Sequence, residues 1–109
     1  LARPMMKNKN GSIVFCSSAV ANIGMANHEA IAAAKAGVVG LAKSAASTYA
    51  KFNIRVNCVS PGLTDTGIAE RITKNEAALK ASTAMHPLGR IAQPDEVSAA
   101  IHFLLTHGY

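Results

Sequence analysis

The sequence predicts an α/β protein built on a parallel sheet, and three observations carry that expectation. Two short runs, "GSIVFCSS" (11–18) and "IRVNCVS" (54–60), are apolar and contain β-branched residues, and each ends in a small polar residue. A long alanine-rich segment, "NHEAIAAAKAGVVGLAKSAASTYAK" (27–51), lies between them. Alanine is the best helix former, and strands that alternate with helices expect parallel pairing through crossover connections. Strands apolar on both faces expect neighbours and helical cover.

Each element follows in order. The first strand reads as a buried run centred on Ile13 and Val14. "AVANIGMA" (19–26) is connecting loop, with Gly24 as punctuation. Asn27 is expected to cap the long helix, and Glu29 in its first turn suits the positive end of the helix dipole. Residues 54–60 form the second buried strand, stopped by Pro61–Gly62. Within it Asn57 is expected to be a buried amide that needs partners. "TDTGIAERITKNEAALKASTAMH" (64–86) is amphipathic and helical in pieces, and "PLGRIAQP" (87–94) is loop. Pro94 opens the last helix, "PDEVSAAIHFLLT" (94–106), with Asp95 and Glu96 in its first turn. Two strands cannot stand alone as a parallel sheet, so the chain reads as half of a larger domain.

Composition narrows the function classes. The chain has 109 residues, enough for one small domain, with 50% hydrophobic and 16% charged, so a packed core is expected. No apolar run approaches the roughly 18–20 residues of a membrane span. The start, "LARPMMKNKNGS", has neither a signal core nor an initiating methionine. That is the expectation for a piece of a longer product or for a processed chain. The net charge of +5 is scattered, and aromatics make up only 5%, so nucleic-acid binding is not expected. Cys16 and Cys58 sit in apolar runs without a CxxC partner, as buried reduced thiols of a cytoplasmic protein would. The four histidines are too dispersed for a ligand set, and no metal is expected.

In α/β sheets ligands bind beyond the carboxyl ends of the strands. Two places qualify: Ser17–Ser18 after the first strand, and Ser60–Pro61–Gly62 with Thr64 and Thr66 after the second. Lys35, two turns into the intervening helix, is placed to meet both in one crevice. Each feature also has a plain structural reading. Serines commonly end strands, a lysine can snorkel from a packed helix, and Pro-Gly is a turn in any context.

Taken together, these segments resemble the short-chain dehydrogenase/reductase family across essentially the whole chain. "GSIVFCSS" looks like its fifth strand with the catalytic serine, and "AAAKAGVVGLAKSAA" like its fifth helix with the catalytic lysine. "IRVNCVSPG" resembles the sixth strand with the cofactor-facing Pro-Gly, and "HPLGRIAQPDEV" the approach to the last helix. The resemblance implies the C-terminal half of a three-layer, Rossmann-type doubly wound parallel sheet. Residues 1–109 would be an incomplete NAD(P)-binding domain, lacking the N-terminal glycine-rich βαβ unit and the last strand. It also implies a cofactor, NAD or NADP, and a small alcohol or carbonyl as substrate. A homo-oligomer through the alanine-rich helix would follow, with no membrane or nucleic-acid partner.

The family roles fall on particular residues. The serine that holds the substrate carbonyl falls on Ser18, and the lysine that holds the nicotinamide ribose on Lys35, seventeen residues later. The segment over the carboxamide falls on Pro61, Gly62, Thr64 and Thr66. The catalytic tyrosine of the family would stand four residues before the lysine, where this chain has Ile31. Isoleucine can neither give nor take a proton, and neither Tyr49 nor Tyr109 replaces it by position. At about 100° per residue, His28 lies about 60° from Ile31 and Lys35 about 40° to the other side. His28 is therefore the candidate acid/base, beside the plain reading of a partly exposed residue at a helix start. The implied function is an NAD(P)-dependent oxidoreductase interconverting an alcohol and a carbonyl. The alternatives are a relative that keeps the fold as a binding or scaffold protein, or an inactive truncated product.

Overall fold

The computed structural model describes residues 2–108. In chain order they form α1 (Ala2–Asn8), β1 (Gly11–Cys16), α2 (Glu29–Tyr49), β2 (Ile54–Val59), α3 (Glu70–Thr73), α4 (Glu76–Ala84) and α5 (Pro94–Thr106). Single turns of 3-10 helix lie at Ala19–Ala21, Ala50–Phe52 and Gly67–Ala69.

β1 and β2 pair in parallel, from Gly11 opposite Ile54 to Cys16 opposite Val59. Side chains alternate along a strand, so Ile13, Phe15, Ile54, Val56 and Cys58 share one face. That face packs under α2. Ala42, Ile54 and Val56 are buried together, with Ile13, Phe15, Ala45, Ala46, Tyr49 and the α1 residues Met5 and Met6 around them. The half-buried and buried positions of α2, from Lys35 through Val38, Val39, Ala42, Ala45 and Ala46 to Tyr49, recur at helical spacing. The following 3-10 turn ends at Asn53, whose φ of 56° is a left-handed conformation that asparagine tolerates.

The opposite face carries Ser12, Val14, Cys16, Arg55, Asn57 and Val59, and α5 covers it. Ser12 Oγ and Arg55 Nη1 both donate to the Leu104 carbonyl, at 2.8 and 2.7 Å. Leu104 lies in the last turn of α5, where carbonyls lack helical partners, so the amino ends of both strands cap that helix. The expected layering, helix on sheet on helix, is present.

Several expectations are corrected. α1 was not expected; its Arg, Met and Lys are good helix formers, but so short a segment shows no periodicity. Asn27 is not the cap of α2. It takes a left-handed φ of 61°, and His28 occupies the N-cap without a side-chain capping bond. Cys16 is exposed and Cys58 half-buried, and both thiols are free. Cys16 lies on the α5 face at the carboxyl end of β1, away from the end where Ser12 and Arg55 tie α5 down. Asn57 is half-buried rather than buried. It lines an open groove of about 350 Å³ beside β2, together with Ala46, Ala50, Asn53, Ile54, Arg55 and Val56.

The core is thin. The chain exposes 7617 Å², against about 5,700 Å² for a compact monomer of this mass. Its radius of gyration is 16.2 Å, where a compact domain of about 100 residues has about 13 Å. Only Ala42, Ile54, Val56 and Ala69 are buried apolar residues among those described. The composition promised more burial than this set of elements delivers. Among the described residues, no helix is long and apolar enough to cross a membrane.

Candidate active site

Two hydrogen bonds carry the ladder past the strand ends. Ser17 N–H donates to the Val59 carbonyl and Ala19 N–H to the Pro61 carbonyl, each at 2.8 Å. Ser18 lies between them with extended backbone, φ −157° and ψ 153°, as the N-cap of the 3-10 turn Ala19–Ala21. The first candidate serine and the Pro-Gly turn are thereby held side by side at the carboxyl edge of the sheet.

Lys35 is tied to the same edge twice. Its ammonium Nζ donates to the Cys16 carbonyl at 3.1 Å. Its own carbonyl accepts from Ser17 Oγ at 2.8 Å. Ser17 is 4% exposed and is the buried polar residue of the described chain; its hydroxyl needs a partner there, and the backbone of α2 supplies it. Further along, the buried Ala42 anchors the same face of α2 to the core, about 10 Å down the helix. The position of Lys35 is thus set by packing at one end and by Ser17 at the other.

Ile31 is 48% exposed, off the packed stripe of α2 and one turn before Lys35. His28 Nδ1–H donates to the Ala26 carbonyl at 2.8 Å. A carbonyl only accepts, so Nδ1 carries a proton. Among the described residues no hydrogen bond joins His28 to Ser18 or Lys35. Tyr49 packs at the other end of α2 against the core, and Tyr109 lies outside the described residues.

The segment after β2 is pinned from two sides. Ala92 N–H donates to the Leu63 carbonyl at 3.0 Å, and Asp65 N–H donates to the Ala92 carbonyl at 2.9 Å. Thr64 and Ala92 thus form a parallel bridge. From the other side, Leu63 N–H donates to His86 Nε2 at 3.1 Å. Thr64 Oγ1 donates to the Gly62 carbonyl at 3.2 Å, and Thr66 is exposed at the start of the 3-10 turn Gly67–Ala69.

The loop from Met85 into α5 is closed by charge. Arg90 grips Glu96 through two bonds of 2.8 and 2.6 Å, and Gln93 N–H donates to the same carboxylate at 2.8 Å. These bonds, the Arg90 contact first, hold the Glu96 carboxyl down to about 2. Pro94 at the helix start and a capping box of Gln93 and Glu96 complete the turn.

The sequence singled out Ser18, Lys35, Pro61, Gly62, Thr64 and Thr66, and the fold gathers Ser18, Lys35 and Pro61–Gly62 at one sheet edge. Three residues that build the site were not legible as such. Ser17 was paired with Ser18 but carried no sign that it holds α2. His86 and Ala92 lie far along the chain from the turn they pin, and nothing in their local pattern points back to it.

Over residues 1–108 the chain matches the family model described as enoyl-(acyl carrier protein) reductase. It is 45% identical over 102 residues to cis-4-hydroxycyclohexanecarboxylate dehydrogenase of Sinomonas cyclohexanicum, covering 94% of this chain and 40% of that protein. It is 43% identical over 100 residues to a 3-oxoacyl-(acyl-carrier-protein) reductase of Thermotoga maritima, covering 92% and 40%. Among solved structures, a gluconate 5-dehydrogenase from Burkholderia cenocepacia in complex with NADP and tartrate superposes with a TM-score of 0.90. That match has 27% identity and covers 95% of this chain and 41% of the other. The chain spans about 40% of the length of the curated relatives it matches.

Proposed function

The chain belongs to the short-chain dehydrogenase/reductase family, and from that premise we propose that the protein is an NAD(P)-dependent oxidoreductase. It interconverts an alcohol and a carbonyl by hydride transfer. The observation that carries this reading is the convergence of Ser18, Lys35 and Pro61–Gly62 at the carboxyl edge of two parallel strands. This chain supplies the nicotinamide side of the dinucleotide domain. No glycine-rich pyrophosphate turn occurs in its 109 residues, and that turn belongs to the other half of the domain.

The residues present fit the nicotinamide end of NAD or NADP. Lys35 Nζ keeps donors for ribose hydroxyls beyond the one given to the Cys16 carbonyl. Thr64 and Thr66 place hydroxyls along the segment that follows Gly62. When bound, the dinucleotide supplies or takes up the hydride. The Ser18 hydroxyl donates to the substrate oxygen, and Lys35 orients the ribose. In the reducing direction that oxygen also needs a proton, which residue 31 cannot give because its side chain is hydrocarbon. His28, at the N-cap of the same helix, is the candidate when its Nε2 also carries a proton, and water is the other source. Free thiols at Cys16 and Cys58 support a cytoplasmic location. The small-residue face of α2, with Gly37 and Gly40, suits contact with a second copy.

A second reading, a binding or scaffold protein without turnover, is favoured by Ile31 alone. The test uses the full-length protein: titration with NADH and NADPH by fluorescence, then turnover with a panel of alcohols and carbonyls. The oxidoreductase reading expects binding and turnover, with Ile31→Tyr raising the rate by at least about 100-fold. Binding without turnover in either form would establish the second reading, and no binding of either dinucleotide would remove both.

A further inference from the structure

We propose that His86 is a positioning residue for the cofactor-facing turn, its imidazole Nε2 holding Pro61–Gly62–Leu63 in place. The inference rests on the reading of that turn given above. Three observations meet at this ring. Leu63 N–H donates to Nε2 at 3.1 Å. The other ring nitrogen, Nδ1, bonds the Ser82 carbonyl at 2.7 Å. A Cβ built on Gly62 would lie 2.7 Å from Nε2.

The first two bonds settle the tautomer. A backbone N–H only donates and a carbonyl only accepts, so Nε2 offers its lone pair to Leu63 and Nδ1–H donates to Ser82. The ring is fixed at both nitrogens, which makes it a rigid strut between α4 and the turn. The third observation explains the glycine. Gly62 needs no unusual backbone angle here, because its φ is not in the left-handed region. It is needed because the strut passes where a side chain would begin. His86 and Gly62 are therefore one device, separated by 24 positions in the chain and joined only by the fold.

The helix before His86 is itself anchored. Asn75 Oδ1 accepts from Ala78 N–H at 2.9 Å to cap α4, and Gly89 N–H donates to the His86 carbonyl at 2.8 Å. The strut thus stands on a capped helix at one end and on the turn at the other. Ala92 N–H donates to the Leu63 carbonyl, so the loss of His86 leaves the segment tethered but frees its amide side.

The test is hydrogen exchange at the Leu63 amide and dinucleotide affinity, both in the full-length protein. His86→Ala is expected to speed exchange at Leu63 by about tenfold, the loss of one hydrogen bond, and to weaken NADH or NADPH binding by a similar factor. His86→Gln is expected to restore most of both, because its terminal oxygen stands as many bonds from Cβ as Nε2 does. His86→Asn is too short and is expected to behave like alanine. Gly62→Ala displaces the ring and is expected to weaken binding alone, yet to add little on top of His86→Ala.

Unchanged exchange in His86→Ala would overturn the strut. Equal effects of Gln, Asn and Ala would reduce it to a packing residue and overturn it as well. Faster exchange with unchanged dinucleotide affinity would overturn the positioning role while leaving the oxidoreductase reading intact. A wild-type protein that binds neither dinucleotide would overturn that reading, and with it the role of the strut toward the cofactor.

Discussion

The two halves of the chain are held together by different physics. From Gly11 to Val59 the structure is a strand, a helix and a strand, ordered by apolar burial. Ala42, Ile54 and Val56 meet there, with Ile13, Phe15, Ala45, Ala46, Tyr49, Phe52 and Cys58 packed against them. From Ser60 to Gly108 only Ala69 is a buried apolar residue, and the segment is organised by directed polar contacts. These are the Thr64–Ala92 bridge, the His86 ring on Leu63, the capping Asn75, and the Arg90–Glu96 pair. The candidate site straddles the boundary. Ser18 and Lys35 inherit their positions from the packed half, whereas Pro61–Thr66 takes its position from the polar half. Burial is non-directional and tolerates small shifts, whereas a hydrogen bond holds one geometry and fails when it is lost. A site built across both has one side set by the core and one side set by a few bonds.

Substitutions break this comparison in a definite order of size. Ile54 is 2% exposed, and Ile54→Ala removes a side chain that the whole packed half encloses. It is expected to cost about 3 kcal/mol, read by urea denaturation as a shift in midpoint at constant slope. A loss under about 0.5 kcal/mol, the range of ordinary surface substitutions, would mean that the first half is not core-driven.

Ser17→Ala is the intermediate case. It deletes the bond to the Lys35 carbonyl, inside the packed half at the carboxyl edge of the sheet, and is expected to cost about 1 kcal/mol. Because Ser17 sets the height of α2 against β1, the full-length variant is also expected to bind dinucleotide less tightly. Loss of stability with unchanged affinity would show that Lys35 is placed by the core alone.

The smallest effect belongs to Arg90 and Glu96. Glu96 titrates at about 2 in the folded chain, below its ordinary value near 4.5, so the unfolded chain binds its proton first as the pH falls. The pair's contribution is therefore complete above about pH 4.5 and is lost as the pH drops toward 2. Both side chains are about half exposed, so the contribution is slight and screened by salt. Carbon-detected titration of Glu96 is expected to give the low value in the wild type and a higher one in Arg90→Gln, still held below the ordinary value by the Gln93 N–H. An ordinary value in both would dissolve the pair as an organiser of the loop.

What was legible in the residues was whatever depends on local pattern. The two strands, the long helix and the last helix stand where the apolar runs, the alanine content and the proline-plus-acid start put them. The spacing from Ser18 to Lys35 pointed to a shared crevice, and the fold holds both residues at the carboxyl edge of β1. The family followed from four short segments in order. The misses were cases where solvent or a distant segment decides. Cys16 reads as buried because it stands in an apolar run, but it is exposed at the carboxyl end of β1. Asn27 reads as a cap by residue type, but the turn uses its tolerance of a left-handed backbone and leaves the cap to His28.

By itself, then, the sequence determined the order of strands and helices, the family, the candidate serine and lysine, and the isoleucine at the tyrosine position. Those are matters of composition and spacing along one axis. Only the tertiary structure decided which serine holds α2, which ring stands against Gly62, and which strand end lies open to water. Each of those depends on two segments meeting across the fold. A hydrogen bond or a close approach between residues far apart in the chain leaves no periodic trace in either segment.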